Sequence, residues 1–271
     1  MNPPTYLANK NKHPRDERIR FDEGPHIYYI DGSCEGYVSV TTWNHSHFEH
    51  FDADAIITKM MNSKNWTNSK YYNMTRQQIK DSWDKNRDEA ASAGTKMHYD
   101  IECYYNNMDV KNDSIEFGYF QLFEQHRQIG LLGAKESTFT PYRTEWTVFH
   151  EELKLSGSID MVYEDSDGIL HIYDWKRCKE IKKHSQFGKF AHREEIEHLP
   201  DTNYWHYALQ LNIYKTIIEQ KYDKKVGSLY LVCLHPDNNT NQYIRINVCH
   251  LDDEIKELFA FRKKQIEKKE L

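Results

Sequence analysis

The chain has 271 residues, of which 38% are hydrophobic and 14% aromatic, and its net charge is −6. It is too apolar and too aromatic for a disordered chain, and long enough for one large domain or a domain with an extension. The negative charge argues against a protein that coats nucleic acid with a uniformly basic surface. It is compatible with an enzyme that uses carboxylates and keeps its positive charge local.

The five cysteines are widely spaced, odd in number and without a CxxC pair. This pattern gives no support for a disulfide framework, a zinc ribbon or an iron–sulfur cluster, and it favours free thiols. No apolar run approaches the roughly 20 residues that span a bilayer, and the polar N-terminus lacks a signal-peptide core. We therefore expect an intracellular protein without membrane association, in a reducing compartment such as the cytoplasm, the nucleus, an organelle or a virus-infected cell.

The first 74 residues are expected to form an N-terminal extension. Its predicted elements are a loose arm (1–20), two strands of a β-hairpin (26–32 and 37–43), a helix (52–61) and a polar loop (62–74). The turn at Asp31-Gly32 and the alternation of apolar residues around it are the basis of the hairpin prediction.

Residues 75–250 are expected to form the core, followed by an amphipathic helix over 251–271. The predicted helices of the core span 75–105, 114–129 and 204–219, and its strands span 142–150, 155–164, 169–177, 228–235 and 243–249. Thr75 is a good N-cap for the first helix, within which Gly94 predicts either an interruption or a close helix contact. This order predicts an α/β (α+β mixed) fold with a central mixed sheet flanked by helices.

The strongest chemical feature is the pair of segments GSIDMVY and YDWKR, in two strands joined by the turn at 165–168. Asp174 and Lys176 are two residues apart, so they share one strand face, and hairpin pairing brings Asp160 beside them. Two carboxylates and an ammonium then converge. Hard carboxylate oxygens suit Mg²⁺ or Mn²⁺, and a nearby lysine can stabilise charge that develops on a phosphodiester. A surface hairpin with an ordinary D-x-K salt bridge is the structural alternative.

Two helical motifs accompany these strands. His98 and Glu102 are four residues apart on one helix face, and so are Gln210 and Tyr214. Histidine nitrogen is a plausible ligand for Mn²⁺. Taken alone, each motif is also compatible with a hydrogen-bonded core histidine or an ordinary amphipathic helix.

Together these features resemble the PD-(D/E)xK nuclease superfamily, and within it the RecB-like branch. The four family motifs occur in order: G-x-x-x-H at Gly94–His98, G-x-x-D at Gly157–Asp160, D-x-K at Asp174–Lys176 and Q-x-x-x-Y at Gln210–Tyr214. The match covers about residues 90–235. The segments HIYYIDG, YVSVTT and FEHFDAD extend the similarity toward phage, viral and mitochondrial genome maintenance exonucleases. The chain departs from the pattern in having Ile159 before Asp160, and it lacks the cysteines that hold an iron–sulfur cluster in some relatives.

The resemblance implies a restriction-endonuclease-like core and assigns roles to individual residues. The implied metal ligands are His98, Asp160, Asp174 and the backbone carbonyl of Trp175, and Lys176 is the implied catalytic lysine. Gln210 and Tyr214 would support the site or the DNA. Glu102 and Glu145 are further acidic candidates. The cofactor would be Mg²⁺ or Mn²⁺. The implied activity is a DNA exonuclease acting on ends or single strands in replication, recombination or repair, with a helicase or recombination protein as a conceivable partner.

A basic segment follows the implied catalytic lysine. Its candidate contacts to DNA phosphates are Arg177, Lys179, Lys182 and Lys183. A solvated charged loop is the alternative for this segment. For the whole chain the alternatives are a structure-specific endonuclease, an RNA nuclease, or a non-catalytic nucleic-acid-binding module, and the intact Asp160, Asp174 and Lys176 set argues against the last.

Overall fold

The computed structural model describes residues 4–185 and 188–268. Within these ranges the α-helices are α1 (Tyr6–Lys10), α2 (Val40–His45), α3 (Ala53–Met61), α4 (Arg76–Tyr105), α5 (Ile115–Gln128), α6 (Asn203–Lys221) and α7 (Asp252–Glu267). The strands are β1 (Ile19–Asp22), β2 (Ile27–Ile30), β3 (Val38–Ser39), β4 (Thr140–His150), β5 (Leu155–Glu164), β6 (Leu170–Lys176), β7 (Val226–Cys233) and β8 (Ile244–Val248). Short 3₁₀ helices span Pro14–Arg18, Trp66–Asn68, Glu136–Thr138 and Glu194–Ile196.

A mixed six-stranded sheet lies at the centre and confirms the predicted fold class. The strands follow the order β3-β5-β6-β7-β8, and β4 pairs with β5. The β3–β5 and β6–β7 pairs are parallel, whereas β4–β5, β5–β6 and β7–β8 are antiparallel. The β5–β6 turn is the predicted one: Gly168 has a φ of 74°, and the Asp165 carboxylate accepts from the backbone N–H groups of Asp167 and Ile169.

Helices cover the two faces of this sheet. On one face, α4 and α5 pack through residues such as Ile101 and Phe120 against Tyr173 and Trp175. On the other face, α2, α6 and α7 contribute to a larger cluster that includes Trp43 and Leu258 beside Ile159 and Leu231. The implied catalytic segments of β5 and β6 therefore lie between two buried layers, which fixes their backbone.

The prediction of a loose arm over residues 1–20 is wrong for residues 4–20, and residues 1–3 lie outside the described ranges. Leu7 is buried at 2% exposure, and Asp16 accepts hydrogen bonds from Arg143 (2.7 Å) and Trp146 Nε1 (3.1 Å). Arg15 forms a two-pronged ion pair with Glu151. The polar composition of the arm hid these contacts, because their partners lie more than 120 residues away.

The predicted strand over 37–43 is also wrong beyond its first residues. Only Val38 and Ser39 are extended, and α2 begins at Val40, where the Ser39 side chain accepts from Thr42 N. The β-branched residues that predicted a strand are overridden by this cap. β2 consequently pairs with β1 in a separate antiparallel hairpin, rather than with the 37–43 segment.

The long helix α4 begins as predicted. Thr75 and Gln78 form a capping box. Gly94 neither interrupts the helix nor makes a close contact, since a Cβ there would meet nothing within 4 Å. Despite its 30 residues α4 is polar, and none of the helices in the described ranges has the length and apolar character needed to cross a bilayer.

Candidate active site

The site is built where one edge of β5 changes neighbours. β6 pairs with residues 161–164 of β5, and β3 pairs with residues 155 and 156. The residues between them, 157–160, face the end of β6 where the two strands diverge. There the Asp160 carboxylate replaces a backbone carbonyl of a neighbouring strand as hydrogen-bond acceptor. Its Oδ2 accepts a hydrogen bond of 2.9 Å from the backbone N–H of Trp175. Because the N–H and C=O of one strand residue point to the same side, the Trp175 carbonyl is directed toward Asp160 too.

Three potential ligands meet at this opening. His98 Nδ1, from α4, lies 3.6 Å from Asp160 Oδ2 and 3.6 Å from Glu145 Oε1 of β4. The ligand atoms of all three lie within 4.8 Å of one another. Glu145, which the sequence analysis names only as a further acidic candidate, belongs to this cluster, whereas Asp174 does not.

The backbone of Glu145 is unusual. Its φ is 42°, in the left-handed region that non-glycine residues seldom adopt. It faces Asp160 across the β4–β5 ladder, between the pairs Thr144–Met161 and Trp146–Ile159. Such a conformation costs on the order of 1–3 kcal/mol and is found preferentially at functional sites. Ser158 Oγ donates to Glu145 Oε2 at 2.9 Å and holds the carboxylate toward the opening.

Asp174 and Lys176 are brought together as the period-two spacing predicts. Lys176 Nζ lies 2.6 Å from Asp174 Oδ2, and both side chains are largely buried. Burial raises the pKa of Asp174, and Lys176 opposes this shift without cancelling it. Burial lowers the pKa of Lys176, but Asp174 and Asp160 outweigh it and hold the pKa above its usual value. The lysine is therefore cationic.

The charges at this opening also shift the pKa values of two residues of α4, His98 and Glu102. Burial lowers the pKa of His98, but Asp160 and Glu145 raise it more strongly, to about 9. Burial, followed by the charge of Glu145, raises the pKa of Glu102 to about 7. Binding of a cation would require His98 Nδ1 to lose its proton, as for any histidine ligand.

The tyrosine of the Q-x-x-x-Y motif lies against β5, and the glutamine of this motif lies beside α2. The Tyr214 ring packs so closely on Gly157 that a Cβ at that glycine would lie 2.5 Å from Tyr214 Oη. Burial raises the pKa of Tyr214 well above its usual value, so its hydroxyl stays protonated. Gln210 is partly exposed, and its Nε2 lies 3.4 Å from Thr41 Oγ1 of α2. The glycine of the G-x-x-D motif is thus required by the tyrosine of the Q-x-x-x-Y motif.

Two tyrosines near the site were missed by the sequence analysis. Tyr28 of β2 is buried, and burial together with the charges of Glu145 and Asp160 raises its pKa. Tyr207 of α6 lies under the Lys176 ammonium, with 4.6 Å between Nζ and the ring centroid. Nothing local marks Tyr28, because the β1–β2 hairpin reaches the site only by tertiary packing. Tyr207 carried a signal, since it lies three residues before Gln210 on the same helix face.

The four predicted phosphate contacts all have partners within the chain. The pairs are Arg177 with Glu116 (2.7 Å), Lys179 with Asp237 (2.8 Å), Lys182 with Glu180 (2.7 Å), and Lys183 over the Tyr204 ring (4.4 Å). The Lys179 and Lys182 side chains are 63% and 43% exposed, and exposed ion pairs contribute only about 0–1 kcal/mol. These cations can therefore exchange their partners for a phosphate at small cost.

The donor set fits a divalent cation. It offers carboxylate oxygens and one imidazole nitrogen, the donors that suit Mg²⁺ and Mn²⁺. The buried Asp174 Oδ2 has the Lys176 ammonium at 2.6 Å as its partner and no other hydrogen-bond donor among the described residues. A buried carboxylate is costly unless it is paired, and coordination of a cation would place a second positive charge beside it.

The chain was compared with protein families, solved structures and curated proteins. A family profile described as the PD-(D/E)XK nuclease superfamily matches residues 105–270. Among solved structures, the chain is similar to a candidate exonuclease from Eubacterium rectale, with 11% identity, a TM-score of 0.35, and coverage of 86% of this chain and 79% of that one. A comparison with curated proteins finds no match.

Proposed function

Because the chain belongs to the PD-(D/E)XK nuclease superfamily, we propose that it is a divalent-metal-dependent exonuclease that hydrolyses DNA from ends or along single strands. Replication, recombination or repair is the setting that suits this activity. The proposal goes beyond the family in naming DNA, free ends and a metal as requirements.

One observation carries the proposal. His98, Glu145 and Asp160 converge within 4.8 Å at the point where β5 and β6 part, and the Asp174–Lys176 pair borders the same opening. An ordinary surface D-x-K pair would be solvated, whereas here the Asp174 side chain is 4% exposed and the Lys176 side chain 17%. Converging carboxylates can hold the divalent ion used in metal-assisted hydrolysis of phosphodiesters. The buried Lys176 ammonium lies beside them.

We assign the ligand role to Asp160, Asp174, the Trp175 carbonyl and His98, and add Glu145 to this set. Bound Mg²⁺ or Mn²⁺ would activate water and neutralise charge on the phosphate. The Lys176 ammonium is the chain's own contribution, since it is placed to stabilise negative charge that develops on the phosphodiester.

The side chains around the opening would guide the strand. Gln210 is partly exposed beside Thr41 of α2. The cations Arg177, Lys179, Lys182 and Lys183 follow the catalytic lysine in the sequence. Phosphate contacts made by such cations weaken as salt rises. We therefore expect DNA binding to fall with ionic strength.

The test uses DNA labelled separately at its 5′ and 3′ ends. Linear single strands, linear duplexes, closed circles and an RNA strand of the same sequence are incubated with Mg²⁺, Mn²⁺ or EDTA. Lys176→Ala is compared with Lys224→Ala, which removes another ion-paired lysine (Lys224–Glu164, 2.8 Å) away from the site. DNA binding of each protein is followed by fluorescence anisotropy.

We expect linear DNA to be degraded with either metal, circles and EDTA samples to remain intact, and Lys176→Ala to lose about 10²–10³-fold in rate while still binding DNA. Cleavage of circles would make the protein an endonuclease, and preference for the RNA strand would make it an RNA nuclease. Binding without cleavage in any condition would leave a non-catalytic binding module and overturn the proposal.

A further inference from the structure

The aromatic ring under the catalytic lysine is held by the fold independently of that lysine. Tyr207 is partly buried and packs against the larger core cluster beneath α6. It precedes Gln210 by three residues and Tyr214 by seven, so the three side chains lie on one face of the helix. The ring centroid is 4.6 Å from Lys176 Nζ, within the distance at which an ammonium is attracted to an aromatic face.

Lys176 is also paired with Asp174, but Asp174 is needed as a metal ligand as well. Asp174 Oδ2 lies 2.6 Å from Lys176 Nζ, and the same carboxylate is an assigned metal ligand. A carboxylate that coordinates a cation shares its negative charge with it, and so attracts the lysine less strongly. The Tyr207 ring attracts the ammonium through its π-electrons. Because the ring is not a metal ligand, this attraction persists when Asp174 binds the metal.

We propose that Tyr207 is a positioning residue, whose ring face keeps the Lys176 ammonium directed into the active site when Asp174 serves the metal. This inference rests on the proposed nuclease function. The proposed role depends on the π-face of the ring. Phenylalanine at position 207 should therefore preserve kcat, whereas an aliphatic side chain of similar size should not.

The kinetic test varies the ring while preserving its shape. Tyr207 is replaced by phenylalanine, by mono-, di- and trifluorinated phenylalanine, and by leucine, and kcat and KM are measured on linear DNA. Fluorine withdraws π-electron density, so we expect kcat to fall stepwise through the series. Tyr207→Leu should lose about tenfold in kcat, equivalent to about 1.4 kcal/mol. KM should stay unchanged, because the proposed role of the ring is a contact with Lys176 and not with the substrate.

A second readout needs no activity. In metal-free protein with ¹³C-labelled lysine, the ring should shift the Hε resonances of Lys176 upfield. The resonance is identified by its absence from Lys176→Ala. We expect it to keep its position in Tyr207→Phe and to move toward the values of exposed lysines in Tyr207→Leu.

Tyr37→Leu is the matched control, since it removes another lysine–tyrosine pair (Lys154 Nζ to the Tyr37 ring, 4.5 Å) that does not involve Lys176. Its kcat should equal that of the wild type. A fluorinated series with constant kcat, or an unshifted Lys176 resonance, would show that the ring only fills space and would overturn the inference. Absence of cleavage by the wild type itself is a different result, because it defeats the proposed function whatever the variants do.

Discussion

Gly157 and Tyr214 provide the sharpest test of how two sequence motifs depend on each other. In Gly157→Ala the new Cβ would lie 2.5 Å from Tyr214 Oη and 2.8 Å from Cε1, whereas ordinary contacts begin at 3.4 Å. The ring would have to retreat by about 1 Å. It has little room to do so, because Tyr214 is 2% exposed and lies within the main core cluster.

Overpacking of this kind costs about 1–3 kcal/mol. For a domain of this size each kcal/mol lowers the melting temperature by about 2–4 °C, so Gly157→Ala should melt several degrees below the wild type. The cleavage rate should also fall, even under conditions in which the variant is fully folded. Asp160 is only three residues along β5, and a displacement of about 1 Å at a reacting group can cost about 10²-fold in rate.

The measurement is urea unfolding together with the cleavage assay. Gly94→Ala is the matched control: the same atom is added in open space within a helix, so it should stabilise the protein by about 0.5–1 kcal/mol. Adding Tyr214→Phe to Gly157→Ala removes the 2.5 Å contact and should recover part of the lost stability. If Gly157→Ala unfolds at the same urea concentration as the wild type, the close-packing argument is wrong.

Three further changes test other parts of the structure. Burial raises the pKa of Glu102 to about 7, so the metal-free folded state binds a proton that the unfolded state has released. Stability should therefore fall as pH rises from about 4.5 to 7, and Glu102→Gln should flatten this part of the pH profile measured by urea unfolding. Arg127→Met breaks a buried ion pair with Glu124 (2.7 Å, both side chains at most 5% exposed) and should cost about 3–5 kcal/mol; an unchanged urea midpoint would contradict the pairing. Asp16→Ala leaves the buried Arg143 without its carboxylate (2.7 Å) and should destabilise by about 2–4 kcal/mol, whereas a truly loose N-terminal arm would show no effect in a thermal melt.

Much of the core was predictable because its signals are local. The capping residue Thr75, the turn at 165–168 and the strand periodicity around Asp160 and Asp174 each act within a few residues. Such patterns place Asp174 beside Lys176 and bring Asp160 to the neighbouring strand before any tertiary contact is known. The mixed sheet flanked by helices follows from the order of these elements.

One error comes from a local helix cap that was missed, and the other from contacts between residues that are distant in the sequence. Val40 and the threonines after it favour a strand in isolation, but Ser39 caps a helix that buries Trp43 against the core. The arm of residues 1–20 looks disordered by composition, yet Asp16 and Arg15 form hydrogen bonds with residues of β4 and of the turn after it. No window of sequence contains both members of these pairs.

The sequence by itself determined the carboxylates, the lysine and their common strand face, because the geometry of a strand follows from its dihedral angles alone. Only the tertiary structure decided that Glu145 joins His98 and Asp160, that Tyr207 lies under Lys176, and that Tyr214 needs a glycine at 157. These contacts depend on how the helices pack on the sheet to within about 1 Å, and close packing is set by the sum of many side-chain shapes rather than by any one motif.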